Sequence, residues 1–179
     1  RILSGDVYWK KFNTTLTREK KVYGVPAAVV VAIIGVESNY GMHTHQYNEL
    51  DALSTLAFHY PPRSAFFSKE LKQFLLLTRE QKINPSSMMG SYAGALGIPQ
   101  FMPSSYRHYG VDFSHSGHVN LLTSNVDAIG SIGNYLKENG WNRWAPIATP
   151  VTVTGSAYKK VLSSNGKPNT SVRKLRTLG

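Results

Sequence analysis

The chain has 179 residues, of which 41% are hydrophobic and 17% charged, and its formal net charge is +10. It has no cysteine, which excludes disulfides, thiol catalysis and thiolate zinc sites. The apolar run at residues 27–36 is shorter than the roughly 18 residues of a membrane-spanning helix, so we expect one domain with a short appendage.

The first predicted element is a buried helix that begins near Pro26 and ends at Gly41. Apolar residues or glycine fill every position of AAVVVAIIGV, and a proline is tolerated in the first turn of a helix. The β-branched residues would also suit a buried strand, but the length and the alanines favour a helix. Glu37 follows this run directly, so one carboxylate lies beside strongly apolar turns.

Three further helices are predicted, at residues 49–60, 64–82 and 125–139. Asn48 is placed to cap the first of them, and Pro61 and Pro62 end it. Between the second and the third, residues 84–106 contain closely spaced prolines and glycines, which predict a shaped loop with at most short helical turns.

The last segment, residues 149–179, is predicted to be a small β-like basic extension, truncated or partly mobile, because VTVTG alternates like a strand. Residues 141–179 carry seven lysines and arginines and no acid. Such a segment is either a solvated tail or a contact for a polyanion: nucleic acid, anionic lipid or an acidic cell-wall polymer. The fold is therefore predicted to be mainly α, with a domain at 1–148 and the extension at 149–179.

Glu37 is the main candidate for a chemical role. Desolvation by the apolar turns before it and the negative end of the helix dipole both disfavour its ionised form, so its pKa should be raised. A raised pKa suits a general acid. The alternative is a carboxylate that points into solvent at a helix end, and the sequence alone leaves both interpretations open.

A second working carboxylate is not evident. Glu49 and Asp51 fall in the first turn of a helix, where negative charge is expected for stability alone. Glycoside hydrolases usually work with two carboxylates. A lone desolvated acid instead suits a reaction in which the substrate supplies its own nucleophile.

Four blocks of the sequence together resemble a known family. They are VAIIGVESNYG, LDALSTLAFHYP, GSYAGALGIPQFMPSSYRHYGVDFS and VDAIGSIGNYLKENGW, which cover roughly residues 22–145. Their order and spacing are similar to those of the membrane-bound lytic murein transglycosylase B family. The resemblance implies a lysozyme-like fold and cleavage of the MurNAc–GlcNAc β-1,4 bond of peptidoglycan without water, which leaves a 1,6-anhydroMurNAc end.

The resemblance also implies roles for individual residues. Glu37 matches the single catalytic acid and base of the family, which protonates the glycosidic oxygen and then deprotonates the muramic C6 hydroxyl. The implied substrate-binding residues are Ser91 and Gln100 for sugar hydrogen bonds, Tyr92 beside the cleaved bond, Tyr135 near the acid, and Arg63 for carboxylates of the stem peptide or lactyl group. Each has a structural alternative, such as a turn residue, a core aromatic or a solvated charge.

The family carries an EF-hand-like calcium loop, which is altered here. The positions that match its ligands are Asp112, Ser114, Ser116 and His118, with Asp127 further along and Thr123 where a bidentate Glu is needed. No cofactor is expected to be required, and calcium binding at 112–127 is expected to be weak. His43 and His45 lack a third zinc ligand at suitable spacing and are interpreted as loop histidines. Ile98 and Pro99 replace an aromatic residue and a glycine of the family, which is expected to reshape the site beside Gln100.

The expected partners are peptidoglycan glycan strands and other cell-wall enzymes, and the expected location is the bacterial periplasm. The chain starts at Arg1, so we expect a trimmed sequence, with any targeting or lipid-anchor signal upstream of it and outer-membrane anchoring only in the full-length protein. A monomer is expected, and nucleic acid is not, since no interleaved aromatic platform accompanies the basic residues. The alternatives are a hydrolytic goose-type lysozyme and a non-catalytic peptidoglycan-binding module.

Overall fold

The structure, a computed structural model, describes residues 2–44, 46–162 and 170–178. It forms two units, one that ends at Arg143 and one that begins at Trp144. The boundary inferred from the sequence lies five residues further along, between residues 148 and 149.

The first unit is mainly helical, as the sequence predicts. Its elements in chain order are α1 (Ile2–Tyr23), α2 (Ala27–Ser38), β1 (Tyr47–Asn48), α3 (Glu49–His59), a 3-10 turn (Pro61–Arg63), α4 (Ser64–Gln81), a second 3-10 turn (Pro85–Ser87), β2 (Met89–Gly90), α5 (Pro103–Tyr109) and α6 (Asn125–Glu138). The helices predicted at 49–60, 64–82 and 125–139 are confirmed to within one residue at each end. The long helix α1 has no counterpart among the predictions.

Local capping explains where the helices begin and end. The Asn48 side chain accepts a hydrogen bond from the Asp51 N–H at 3.2 Å, and Ser124 caps α6 through the Asp127 N–H at the same distance. Helix α2 ends earlier than predicted, because Asn39 and Tyr40 both adopt left-handed backbone angles, with φ of 48° and 62°.

The core forms where the helices pack in pairs. Helix α1 packs on α2 and α6, while α4 packs on α3 and α5. The largest fully buried apolar side chains include Leu16, Ile34, Leu53, Phe74, Leu77, Leu96, Leu121, Ile129 and Ile132. Among the residues that the structure describes, no single helix is long and apolar enough to cross a membrane; α1 and α2, bent by 114°, meet the length and composition criteria only as a pair.

The strands β1 and β2 form a short antiparallel pair, with Tyr47 opposite Gly90 and Asn48 opposite Met89. This pairing joins the start of α3 to the loop that follows β2. It therefore sets the position of that loop against the helical core.

The second unit contains a 3-10 turn at Ala157–Val161 and the short helix α7 at Val172–Leu175. The β-like extension predicted from VTVTG is wrong for the described residues of this unit, since residues 151–154 form no strand. A strand needs a neighbour to pair its N–H and C=O groups, and one alternating pentapeptide supplies none.

Candidate functional site

Glu37 lies in the last turn of α2, one residue before the helix ends. Partial burial raises the pKa of its carboxyl, in the direction that the sequence predicts. Of the two interpretations that the sequence leaves open, the structure favours the one at the solvent-facing side of the helix, since Glu37 is exposed and the neighbouring Val36 is 68% exposed. The apolar turns of α2 therefore do not enclose this carboxyl, although partial burial still raises its pKa.

The turn behind Glu37 is fixed by Ser38 and Tyr40. The Ser38 hydroxyl donates to the Ile34 carbonyl at 3.3 Å and accepts from the Gly41 N–H at 3.0 Å. A Cβ at Gly35 would lie 2.6 Å from the Tyr40 hydroxyl oxygen, and one at Gly5 of α1 would lie 2.7 Å from it. Tyr40 thus fits between α1 and α2 only because both helices have a glycine there.

Ser91 closes a tight loop that ends at Ala95. Its N–H donates to the Ala95 carbonyl at 2.9 Å, and its Oγ accepts from the N–H groups of Ala93 and Ala95 at 3.2 and 3.0 Å. Because Oγ is an acceptor in both bonds, the hydroxyl proton remains available to donate to a ligand.

Three of the predicted substrate-binding residues share one cavity. Ser91, Tyr92 and Gln100 line a space of about 160 Å³ together with His43, Thr44, Gln46 and Gly90. The Gln100 Nε2 donates to the Gly97 carbonyl at 2.8 Å, which leaves its side-chain oxygen as an acceptor. The cavity therefore combines a hydroxyl donor, an amide and an aromatic ring beside the segment that follows α2.

A second cavity, of about 330 Å³, is also lined by Tyr92. Its lining residues are Tyr47, Asn48, Asp51, Ala52, Thr55, Leu56 and Tyr92. The rings of Tyr47 and Tyr92 meet edge to face, with centroids 6.4 Å apart, and both side chains are at least half exposed. Aromatic faces of this kind are able to contact the apolar face of a sugar ring.

Tyr135 belongs to a neighbouring aromatic cluster on α6. Its ring centroid lies 5.4 Å from Phe101, the residue after Gln100, and 4.9 Å from Tyr109. Tyr135 also lines a wider polar cavity of about 690 Å³ with Gln73, Ser104, Ser105, Arg107, His108, Tyr109 and Asn139. Its ring therefore connects this wider cavity to the Gln100 segment.

Arg63 is exposed at the junction of α3 and α4. Its guanidinium lies 4.4 Å from the Phe66 ring centroid and 5.2 Å from that of Phe67. Neither Arg63 nor Glu37 lines the three cavities described above. The structure thus brings Ser91, Tyr92 and Gln100 into one space, with Tyr135 adjoining it.

Sequence reasoning misinterpreted Glu49. Its side chain is 0% exposed, neither carboxyl oxygen accepts a hydrogen bond from the described residues, and burial raises its pKa to about 8. A first-turn charge that only stabilises the helix is therefore the wrong interpretation of Glu49, whose burial disfavours its ionised form, whereas Asp51 is exposed and consistent with that interpretation. The missed signal is spacing: Glu49, Leu53 and Ala57 recur every fourth residue on the buried face of α3.

The predicted calcium segment is held by hydrogen bonds of its own. Asp112 accepts from Ser114 Oγ, from the N–H and hydroxyl of Ser116, and from the Gly117 N–H, at 2.7–3.3 Å. These bonds lower the pKa of Asp112 against the opposing effect of desolvation. Buried Asp127 accepts from the N–H groups of Ser114 and Asn120 at 2.8 and 3.0 Å.

The donor set fits a tight calcium site poorly. All four oxygens of Asp112 and Asp127 already accept hydrogen bonds, and Thr123 accepts one from Asn120 at 2.8 Å. The His118 carbonyl accepts from Ser116 at 3.0 Å. Within residues 2–44, 46–162 and 170–178, no three or more His, Asp or Glu side chains cluster as metal ligands. His45 lies outside the described residues.

Comparison with known proteins gives consistent matches. Residues 1–179 match the family model described as Transglycosylase SLT domain. The chain is 48% identical over 147 residues to membrane-bound lytic murein transglycosylase B of Escherichia coli strain K12, which covers 82% of the chain and 40% of that protein.

Two solved structures show the same similarity in three dimensions. Soluble lytic transglycosylase SltB1 from Pseudomonas aeruginosa is 47% identical with a TM-score of 0.94, over 100% of this chain and 60% of that one. SltB3 from the same species, in complex with NAG-anhNAM-pentapeptide, is 36% identical with a TM-score of 0.76, over 82% of this chain and 39% of that one. The chain therefore spans well under two thirds of the length of these relatives.

Proposed function

The chain belongs to the Transglycosylase SLT domain family, as its motifs predict, and we propose that it is a lytic transglycosylase of peptidoglycan. The bond cleaved is the β-1,4 link between MurNAc and GlcNAc, and the product has a 1,6-anhydroMurNAc end. The observation that carries this proposal is the cavity that unites Ser91, Tyr92 and Gln100 beside the segment following the Glu37 helix. The complex of SltB3 with an anhydro-sugar peptide supports the same class of product.

Glu37 is the acid and the base of the proposed reaction. Its carboxyl donates a proton to the glycosidic oxygen as the bond to C1 of MurNAc breaks. The C6 hydroxyl of the same sugar then attacks C1, and its proton returns to the Glu37 carboxylate, so protons and water are neither consumed nor released. The raised pKa of Glu37 supports the first step, and the intramolecular attack gains from proximity.

The remaining site residues bind and orient the glycan in this proposal. The Ser91 hydroxyl and the Gln100 amide hydrogen-bond the sugars, and the Tyr92 ring packs beside the cleaved bond. Tyr135 lies near the acid in the assembled site, and Arg63 takes a carboxylate of the stem peptide or lactyl group, since its exposed guanidinium can form two parallel hydrogen bonds.

No cofactor takes part in the proposed reaction. Calcium binding by residues 112–127 is proposed to be weak, because N–H and hydroxyl groups already occupy the carboxylate oxygens there. The proposed setting is the cell envelope of a bacterium, in the periplasm, where the basic residues after 141 contact acidic wall polymer. We also propose a monomer that works beside other cell-wall enzymes without binding nucleic acid.

The test is mass spectrometry of purified murein digested with this chain. Anhydromuropeptides are expected from the unchanged protein and none from Glu37→Gln, while Glu138→Gln, which changes an exposed acid of α6 that lines none of the three cavities, retains activity. Circular dichroism should show that both variants remain folded. Reducing ends in place of anhydro ends would indicate a hydrolytic lysozyme, and binding to sacculi without any release would indicate a non-catalytic module.

A further inference from the structure

We propose that Glu49 is a positioning residue, which supports the Ser91–Ala95 loop from the core side and so fixes the Ser91 hydroxyl for the glycan. The inference rests on the proposed function for its enzymatic consequence. Its structural part, the contact between the Glu49 carboxyl and the loop, stands on the geometry alone.

The carboxyl fills the space that Gly90 leaves open, since a Cβ at Gly90 would overlap the Glu49 Oε2. At Gly94 the Leu53 side chain fills the corresponding space, and the Glu49 Oε1 is in van der Waals contact, 3.4 Å from the Cβ position. These glycines flank Ser91 on either side along the chain. The Ala95 carbonyl oxygen also lies next to Gly90, 2.9 Å from the position that a Cβ would take there. Glu49 is thus enclosed by the loop that carries Ser91, and any other side chain at Gly90 would displace it.

Movement of this loop moves the Ser91 hydroxyl directly. The Ala95 N–H binds Ser91 Oγ, the Ala95 carbonyl binds the Ser91 N–H, and the Gly94 N–H binds the Ser91 carbonyl at 3.1 Å. A displacement of Gly94 or Ala95 therefore pulls on the atoms that orient Ser91. The Glu49 N–H donates to the Met88 carbonyl at 3.0 Å, which keeps its backbone fixed relative to β2.

The surroundings of Glu49 favour a neutral carboxyl. The facing segment, residues 84–101, contains no Asp, Glu, Lys, Arg or His. The buried or nearby ionisable groups on the elements around it are Asp51 on α3, Glu70 on α4, Tyr47 on β1, Tyr92 in the loop and His43 after α2. The other ionisable groups on α3, α4 and the turn between them are all exposed: His59, Arg63, Lys69, Lys72, Arg79 and Glu80. Asp51 is exposed, and buried Glu70 is bound by the N–H and hydroxyl of Ser104 at 2.9 and 2.7 Å. No cation among these groups offsets a charge on Glu49, in keeping with a pKa of about 8 that is caused by desolvation.

Ionisation of Glu49 should therefore loosen the loop. The carboxylate would lie unpaired in the core and beside the electronegative Ala95 carbonyl. Sugar binding through Ser91 should weaken as the pH rises through about 8, the pKa of Glu49, so KM should rise while kcat changes less.

The experiment compares Glu49→Gln with Glu19→Gln. Glu19 is equally buried and also has a pKa raised to about 8, but it faces Gly133 of α6 instead of the loop. We expect the unchanged chain and Glu19→Gln to show KM for solubilised glycan strands rising several-fold, and at most about tenfold, between pH 7 and 9, because one group with a pKa of about 8 ionises over this range. Glu49→Gln, which is isosteric and does not titrate, should lack this rise.

A second measurement needs no enzymatic activity. Amide resonances of Gly90, Ser91, Gly94 and Ala95 in ¹H–¹⁵N spectra should titrate with a midpoint near pH 8 in the unchanged chain and in Glu19→Gln, but not in Glu49→Gln. Absence of that titration, or its persistence in Glu49→Gln, overturns the inference. So does a loop titration that leaves KM unchanged. If no chain releases anhydromuropeptides at any pH, the proposed function fails, while the amide titration still decides the contact.

Discussion

Glu19 offers a quantitative test of how burial affects this fold. It lies in α1, is 0% exposed, and neither of its oxygens accepts a hydrogen bond from the described residues. A Cβ at Gly133 of α6 would overlap its Oε1, so α6 covers the carboxyl closely. Burial raises its pKa from 4.5 to about 8. The substitution Glu19→Gln keeps the size and shape of the side chain and removes its ionisable carboxyl.

The sign and size of the effect follow from linkage. Between pH 4.5 and about 8 the folded chain keeps the Glu19 proton and the unfolded chain loses it, so the free energy of unfolding falls as the pH rises. The slope for one such group is about 1.4 kcal/mol per pH unit. Glu49, with a similar pKa, adds a second slope of the same sign. As far as these two groups are concerned, the free energy of unfolding should be greatest below about pH 4.5 and should stop falling above about pH 8.

The assay is urea unfolding followed by circular dichroism at pH 5, 6, 7 and 8. Glu19→Gln should match the unchanged chain at pH 5 within about 1 kcal/mol and exceed it at pH 7 by about 3 kcal/mol. In Glu19→Gln the free energy of unfolding should fall with pH half as steeply as in the unchanged chain. Glu138→Gln changes an exposed acid of α6 and should leave this slope unaltered. An equal slope in Glu19→Gln and in the unchanged chain would refute the reasoning.

Three further outcomes are expected. Asp127→Ala leaves the part-buried N–H groups of Ser114 and Asn120 without an acceptor and should lower the free energy of unfolding by about 2 kcal/mol in urea titrations. An unchanged free energy of unfolding would contradict a structural role for these two bonds. Adding 5 mM calcium to chelator-treated protein should raise Tm by less than about 2 °C, because a site whose Kd for calcium is millimolar or weaker adds little stability. A larger rise in Tm would contradict weak binding at residues 112–127. Tyr47→Ala should raise KM for long glycan strands and leave kcat unchanged. Tyr47→Phe retains the ring beside Tyr92 and should have the KM of the unchanged chain. Equal KM values in the two variants would contradict a role for the ring.

Local signals account for what the sequence predicts well. Asn48 caps α3 through its own side chain, and the prolines at 61 and 62 end that helix, so neither boundary depends on distant residues. The α6 cap at Ser124 is equally local. The resemblance assigns Ser91, Tyr92 and Gln100 to substrate binding, and in the structure the three line one cavity, while their roles stay a prediction.

The failures have a different physical origin. Glu49 follows the capping residue Asn48, so the neighbouring sequence alone indicates an acid that stabilises the first turn of a helix. Its burial is caused by a loop about forty residues further along the chain. The exposed position of Glu37 depends on which face of α2 the other helices cover, and an all-apolar segment gives no indication of that face. VTVTG has strand-like alternation, yet a strand is defined by its partner rather than by its own residues.

The hydroxyl of Tyr40 links the N-terminal helix to the turn that holds Glu37, the proposed acid. Gly5 and Gly35 leave just enough room for that ring between two helices, and the ring follows Glu37 by only three residues. Truncation from the first residue is a routine step in preparing proteins for crystallisation or display. Here it would remove the contact between Gly5 and the Tyr40 hydroxyl. A minimal catalytic fragment of this enzyme should therefore retain the segment around Gly5, although that segment supplies no group to the reaction.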